Sequence, residues 1–164
     1  MQLPYQTKTN TMETTIERST EVLNDLIEIN NDRVDGFTRA SKDLGEGDAD
    51  LKAVFDKFAS DSRRNVQELS RAVGQAGGEL ETGNSVSGTL HRAWLDVKAT
   101  FSGHDRKAIL SECERGEDAI KKAYRDALSG DNGLSPDQVS LIVNQQQAIN
   151  QGHDRIKALR DAQV

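Results

Sequence analysis

Apolar residues recur every three or four positions along most of this chain, the spacing that places them on one face of an α-helix. In the first such segment, over about residues 15–44, the apolar face is formed by Ile16, Leu23, Ile27, Val34, Phe37 and Leu44. Three further segments with the same period cover about residues 48–76, 105–128 and 135–162. The alternation of apolar and polar residues that marks strands is absent, so the sequence predicts an all-α protein.

Residues that begin or end helices separate these segments. Glycines within 45–47 and at 77–78 are expected to end the first and second helices. The fourth helix has the clearest start, because Ser135, Pro136 and Gln138 combine an N-cap, a proline at the first helical position and a capping-box glutamine. The connections after the first and third helices are short, so the helices they join are predicted to be antiparallel.

A longer connection, over about residues 78–103, separates the second and third helices and has a helical pattern of its own. Its apolar residues are Val86, Leu90, Trp94, Val97 and Phe101. A helix of about 17 residues is roughly 25 Å long, enough to run along a bundle with Trp94 as its anchor. Two antiparallel hairpins joined by one long crossover form a ferritin-like four-helix bundle. The sequence therefore predicts this fold for residues 15–164, after a disordered tail at residues 1–14.

Polar residues interrupt each predicted apolar face near the middle of its helix. Because the middles of antiparallel helices meet, these residues are expected to form a buried polar belt: Asn30, Ser62, Asn65, Glu117, Gln146 and His153. A buried polar group must be hydrogen-bonded, and a buried charge must be paired. The natural ion pair within the belt is Glu117 with His153.

The polar belt falls where ferritin-like di-iron proteins hold their metals. Those proteins place a Glu on each of two helices and a Glu-x-x-His on each of the other two. Only Glu117 and His153 match this pattern, and the other ligand positions are occupied by Asn30, Ser62, Asn65 and Asn150. Two iron ions need several carboxylates, which neutral side chains cannot replace. The sequence therefore indicates a degenerate di-iron site, with one divalent metal at Glu117 and His153 as the remaining metal hypothesis.

Three segments carry a resemblance to a known family: 23–28 (LNDLIE), 85–94 (SVSGTLHRAW) and 112–118 (ECERGED). Together with the helix pattern from about residue 20 to residue 162, they resemble an uncharacterised bacterial family, a domain of unknown function with a ferritin-like bundle. The resemblance implies the fold and a bacterial cytosolic protein. It implies no established activity.

Charge and composition exclude several classes of function. The chain has 21 Lys and Arg against 27 Asp and Glu, a net charge of -6, so it has no basic surplus for binding nucleic acid. No segment approaches the roughly 20 apolar residues of a membrane span, and the N-terminus lacks the apolar core of a signal peptide. The single cysteine, Cys113, lies on an apolar stripe and is expected to pack in the core. These features predict a cytoplasmic protein.

Two hypotheses for function follow. The first is a non-enzymatic binding or structural module that needs no cofactor, with a role in stress physiology suggested only by the resemblance. The alternative is a metalloprotein with an unconventional mononuclear site that uses Glu117 and His153. A homodimer or another protein partner is expected to use a face of the bundle or the helix of Trp94, with neither nucleic acid nor a membrane as partner.

Overall fold

The computed structural model describes residues 4–80 and 105–163, with side chains described from residue 14 onward. These residues form four α-helices: α1 (Pro4–Asp43), α2 (Ala49–Gln75), α3 (Arg106–Ala127) and α4 (Pro136–Asp161). A 3₁₀ turn at Glu46–Asp48 joins α1 to α2. The described part of the chain has no strand, so the prediction of an all-α four-helix bundle is confirmed. The predicted crossover helix with Trp94 lies outside the described residues.

Helix α1 begins at Pro4, eleven positions earlier than the expected start at about residue 15. Proline suits the first position of a helix, because the N–H group that it lacks has no partner there. No glycine or second proline follows before Gly36, so the helix can continue without a break. The segment expected to be a disordered tail at residues 1–14 is therefore helical from Pro4.

Hydrogen bonds between the helices give their directions. On α1 and α2 the bonded pairs run in opposite order: Ser41 with Lys52 and Asn30 with Ser62. Just after α2, Glu79 continues this order by pairing with Asn24. The same opposite order holds for α3 with α4, in the pairs Glu114 with Arg160 and Tyr124 with Gln145. It also holds for α1 with α3, in the pairs Asn30 with Tyr124 and Arg33 with Glu117. Helix α1 is therefore antiparallel to both α2 and α3, and the order of directions is up, down, down, up.

The start of α3 lies beside the start of α2. Arg106 bonds to Asp48 at 2.9 Å and to Asp50 at 2.6 Å, whereas the chain leaves α2 at the other end of that helix. The connection between α2 and α3 therefore joins opposite ends of the bundle.

The core is formed by the apolar faces that the sequence pattern marks. Its fully buried members include Leu23, Phe37, Phe55, Leu69, Leu110, Cys113, Ile120, Ile142 and Ile156. Burial raises the pKa of the Cys113 thiol, in keeping with its expected role in packing. Ile16, which the pattern placed inward, is instead 38% exposed.

Side-chain caps begin α3 and α4, at Asp105 and Ser135. At the start of α4, Ser135 Oγ accepts from the Gln138 N–H at 3.2 Å, and Gln138 Oε1 accepts from the Ser135 N–H at 2.9 Å. The predicted capping box is therefore confirmed. Among the described helices, none is both long enough and apolar enough to cross a membrane.

Candidate functional site

A buried arginine occupies the middle of the bundle. Arg33 of α1 donates from Nε to Glu117 Oε1 at 2.7 Å and from Nη2 to Glu117 Oε2 at 2.9 Å. Its Nη1 donates to Ser62 Oγ at 3.0 Å. The guanidinium lies 5.3 Å from the ring centre of Phe37 and 5.2 Å from that of Phe58, within the range of cation–π attraction. Arg33 and Glu117 therefore form a bidentate ion pair, with side chains 2% and 0% exposed.

The hydrogen bonds continue from this pair to the other helices. Asn30 Oδ1 accepts from Ser62 Oγ at 2.9 Å and from Asn65 Nδ2 at 3.2 Å, while Asn30 Nδ2 donates to the Tyr124 hydroxyl at 2.9 Å. The Tyr124 hydroxyl donates in turn to Gln145 Oε1 at 2.7 Å. Burial raises the pKa of the Tyr124 phenol, which keeps it protonated as a donor. The buried network thus consists of Asn30, Arg33, Ser62, Asn65, Glu117, Tyr124 and Gln145.

The structure brings together four residues of the expected polar belt: Asn30, Ser62, Asn65 and Glu117. On α4 the expected member Gln146 is only partly buried, and its neighbour Gln145 takes the buried position. Successive helical residues differ by about 100° in direction. The side chain of Gln146 therefore points about 100° away from that of Gln145 and out of the core.

The expected ion pair of Glu117 with His153 does not form. Both oxygens of Glu117 bond to Arg33, whereas the ion-pair partners of His153 are Glu114, Asp118 and Asp154. Arg33 escaped the sequence prediction because a charged residue is normally exposed. A signal was present nonetheless, since positions 26, 30, 33 and 37 follow one another at steps of four and three, which puts Arg33 on the same face as Phe37.

Gly152 of α4 provides the space in which the ion pair lies. A Cβ atom on Gly152 would come within 3.1 Å of Arg33 Nη2 and 3.3 Å of Glu117 Oε2. Such contacts are shorter than ordinary van der Waals contact, so the two charged groups would have to move. At this position α4 supplies no side chain, and the resulting space is occupied by the ion pair.

His153 lies at the rim of the bundle, with two carboxylates of α3. Its Nε2 is 2.7 Å from Asp118 Oδ1 and 3.9 Å from Glu114 Oε1. The second oxygen of Glu114 accepts from Arg160. The side chains of His153 and Glu114 are 10% and 12% exposed, whereas that of Asp118 is 63% exposed, so the group opens to solvent on the Asp118 side. Glu114, Asp118 and His153 are called the rim cluster below.

The two arrangements differ in what they can do chemically. In the buried network, each charged atom already has a partner, and the guanidinium takes up both oxygens of the only carboxylate. In the rim cluster, one imidazole nitrogen and two carboxylate oxygens lie within 4.8 Å of one another. Side chains of these types hold divalent metals. The rim cluster, and not the pair of Glu117 with His153, is the group of described residues that could hold a metal.

A groove of about 680 Å³ is lined by residues of α2 and α4, among them Phe58 and Gly152. Its rim carries charges of both signs from Lys57, Asp61 and Arg155. Lys57 and Asp61 pair with each other at 2.7 Å. Through Gly152, the groove borders the helix surface that packs on the buried ion pair. The pairing of Lys57 with Asp61 partly neutralises the charges of the groove.

A protein-family model matches more than half of this chain. The family model for a domain of unknown function, DUF2383, matches residues 18–130. The matched range includes α2, α3 and most of α1, and with them both members of the buried ion pair. It ends before α4, which carries His153. No curated protein matches the chain.

Proposed function

Because this chain belongs to the DUF2383 family, a family of unknown function, we propose its role from its geometry: it is a ferritin-like helical-bundle protein that acts as a non-enzymatic binding or structural module. The observation that carries this proposal is the buried ion pair of Arg33 with Glu117. We place the protein in the bacterial cytoplasm, as its single cysteine and the resemblance of its sequence favour. A stress-associated role rests on that resemblance alone.

The path of the chain supports the ferritin-like part of the proposal. The helices run up, down, down, up, and the connection between α2 and α3 joins opposite ends of the bundle. Ferritin-like bundles have one long crossover connection between two antiparallel hairpins, and this order of directions requires one. A simple up-down-up-down bundle would join neighbouring ends with short loops.

The electrostatics of the buried network support the absence of a standard di-iron centre. A metal ion at Glu117 would meet the Arg33 guanidinium, which is held by two charge-assisted hydrogen bonds and lies against two phenyl rings. Like charges at such short range repel strongly inside a protein. To bind there, the metal would have to displace Arg33 and leave its positive charge buried, which is costly.

The neutral part of the network supports the same conclusion. Asn30 uses its amide oxygen and nitrogen in hydrogen bonds to Ser62, Asn65 and Tyr124. Asn30, Ser62 and Asn65 are residues that the sequence pattern aligns with di-iron ligands, yet their polar groups bond to one another. The interior therefore acts as a structural core. A protein partner or a second copy of the chain would bind to the outer faces of the bundle.

Iron analysis with an oxidase assay tests the proposal. The full chain would be produced with iron supplied, and its iron content and oxygen-dependent oxidation of Fe(II) would be measured beside those of a ferroxidase-active ferritin. We expect no turnover and no pair of iron ions per chain, in the wild type and in Glu117→Gln alike. Stoichiometric iron with turnover that Glu117→Gln abolishes would overturn the proposal.

The alternative is a metalloprotein with one divalent ion at Glu117 and His153. Its two ligands have separate partners: Arg33 holds both oxygens of Glu117, and His153 faces Asp118 and Glu114. The rim cluster is therefore the observation that favours a metal function. It would place the metal at the edge of the bundle and not in its middle.

A further inference from the structure

We propose that Glu114, Asp118 and His153 form a site for a single divalent transition-metal ion on the outer edge of α3 and α4. Of the residues that match the di-iron pattern, this site uses only His153, and it uses neither Arg33 nor Glu117. The proposal goes beyond the non-enzymatic role given above, because it names a site and a ligand. It is compatible with that role, since a bound ion would serve structure or binding without redox chemistry.

The backbone already places the three ligands together. Glu114 and Asp118 are four residues apart on α3, so their side chains lie on the same helix face. His153 approaches that face from α4, with its Nε2 at 2.7 Å and 3.9 Å from the two carboxylate oxygens. Ligand atoms around a tetrahedral ion with bonds of about 2.1 Å are about 3.4 Å apart. Side-chain movements of less than about 1 Å would therefore complete this part of the shell.

The charge balance of the rim favours a cation. Three carboxylates, those of Glu114, Asp118 and Asp154, face one imidazole and the guanidinium of Arg160. The group has a net negative charge whether or not the imidazole is protonated. A divalent ion would neutralise this excess.

The surroundings of His153 also suit a metal ligand. Asp154 Oδ1 lies 3.2 Å from Nδ1 of the imidazole and can accept a hydrogen bond from an Nδ1–H group, which leaves Nε2 to face the ion. Metal-binding histidines commonly have a carboxylate on the other ring nitrogen in this way. In the structure, Nε2 and Asp118 Oδ1 lie 2.7 Å apart, and a bound ion would take the place of this direct contact.

Arg160 is positioned to yield to the ion. It donates to Glu114, but it also donates to Asp161 from Nη2 at 2.9 Å and from Nε at 3.2 Å. Arg160 can therefore release Glu114 and keep a carboxylate partner. Its side chain is 29% exposed, so part of it already faces solvent.

Exposure and ligand type define the class of ion. Asp118 is 63% exposed, so an ion can enter from solvent and water can complete its coordination. One imidazole with two carboxylates suits Zn²⁺, Mn²⁺ or Co²⁺, whereas Mg²⁺ and Ca²⁺ prefer oxygen ligands alone. We therefore expect selectivity for first-row transition metals over Mg²⁺.

Titration calorimetry with Zn²⁺ tests the proposal on the full chain after removal of metal with a chelator. We expect about one Zn²⁺ per chain. Asp118→Asn and His153→Gln each remove a proposed ligand and should lower the affinity by at least about 10-fold, because changes to groups next to the ligands already cost about 10–100-fold. Asp126→Asn is the matched control: it is the same substitution on the same helix, at a similarly exposed carboxylate that pairs with Lys122 and lies outside the rim cluster. It should bind Zn²⁺ like the wild type.

Two results would overturn the proposal. One is the absence of saturable Zn²⁺ binding in the wild type. The other is binding that Asp118→Asn and His153→Gln leave unchanged, which would assign the ion to other residues. Because Asp118 is exposed, its variant should fold, and circular dichroism would verify this. Zn²⁺ binding at the rim cluster without Fe(II) oxidation would support both the metal site and the non-enzymatic proposal. Oxidase turnover without Zn²⁺ binding at the rim cluster would contradict both.

Discussion

The bidentate pair of Arg33 with Glu117 makes a strong prediction about stability. Replacing Arg33 with Met removes the guanidinium and leaves the Glu117 carboxylate 0% exposed with no counter-charge. Removing one partner of a buried ion pair typically destabilises a protein by about 3–5 kcal/mol. Because both hydrogen bonds are charge-assisted and the site is closed to water, we expect Arg33→Met to reach this range.

The second substitution should recover most of the loss. In the double variant Arg33→Met with Glu117→Met, no charge remains to be desolvated, and the two apolar side chains fill a comparable volume. Replacing a buried ion pair by apolar residues is often neutral or stabilising by about 1–4 kcal/mol. Ser62 loses one donor but still bonds to Asn30. We therefore expect the double variant to be more stable than Arg33→Met alone.

Urea unfolding followed by circular dichroism gives the free energies of unfolding for this double-mutant cycle. The matched control is Lys122→Met, which breaks the exposed pair of Lys122 with Asp126 on α3. That change should cost less than about 1 kcal/mol, as exposed pairs do. If Arg33→Met costs no more than Lys122→Met, or if the two core substitutions are additive, the reasoning about the buried pair is refuted.

Three further predictions concern a glycine, a surface ion pair and the cysteine. Gly152→Ala should destabilise the protein by about 1–3 kcal/mol in urea unfolding, because the new methyl group crowds the buried ion pair. By contrast, Gly74→Ala, with no atom within 4 Å of the added Cβ, should stabilise it by about 0.4–1 kcal/mol; equal effects would contradict this. The Arg106 guanidinium lowers the pKa of Asp50 to about 2, which NMR titration can measure, and Arg106→Gln should return that pKa towards about 3.9. Since the pKa is lowered on folding, the pair stabilises the protein above about pH 4 and ceases to do so as the pH falls towards 2, so the wild type should lose more stability than Arg106→Gln in that window. The Cys113 thiol, whose pKa burial raises, should react with a thiol reagent at pH 8 only after unfolding; rapid reaction in the native chain would refute its packing role.

The sequence by itself determined the helices and the side that each turns towards the core. Apolar spacing places residues such as Leu23, Phe55 and Ile120 inside, because these faces must be covered when helices pack. The capping box at Ser135 is equally local, since its two hydrogen bonds join residues three positions apart. The polar interruptions at Asn30 and Asn65 were visible for the same reason, as each departs from an otherwise apolar face.

Only the tertiary structure decided which polar groups meet. Glu117 could pair with any cation that reached the middle of the bundle, and the path of α1 brings Arg33 there instead of His153. His153 lies at the edge of the bundle, where its Nε2 is 2.7 Å from Asp118 Oδ1. A helical period fixes the face of a residue to within about one position, or about 100°. Hydrogen bonds and ion pairs depend on atoms being within about 3 Å, so the choice of partner follows from helix–helix packing and not from spacing along the chain.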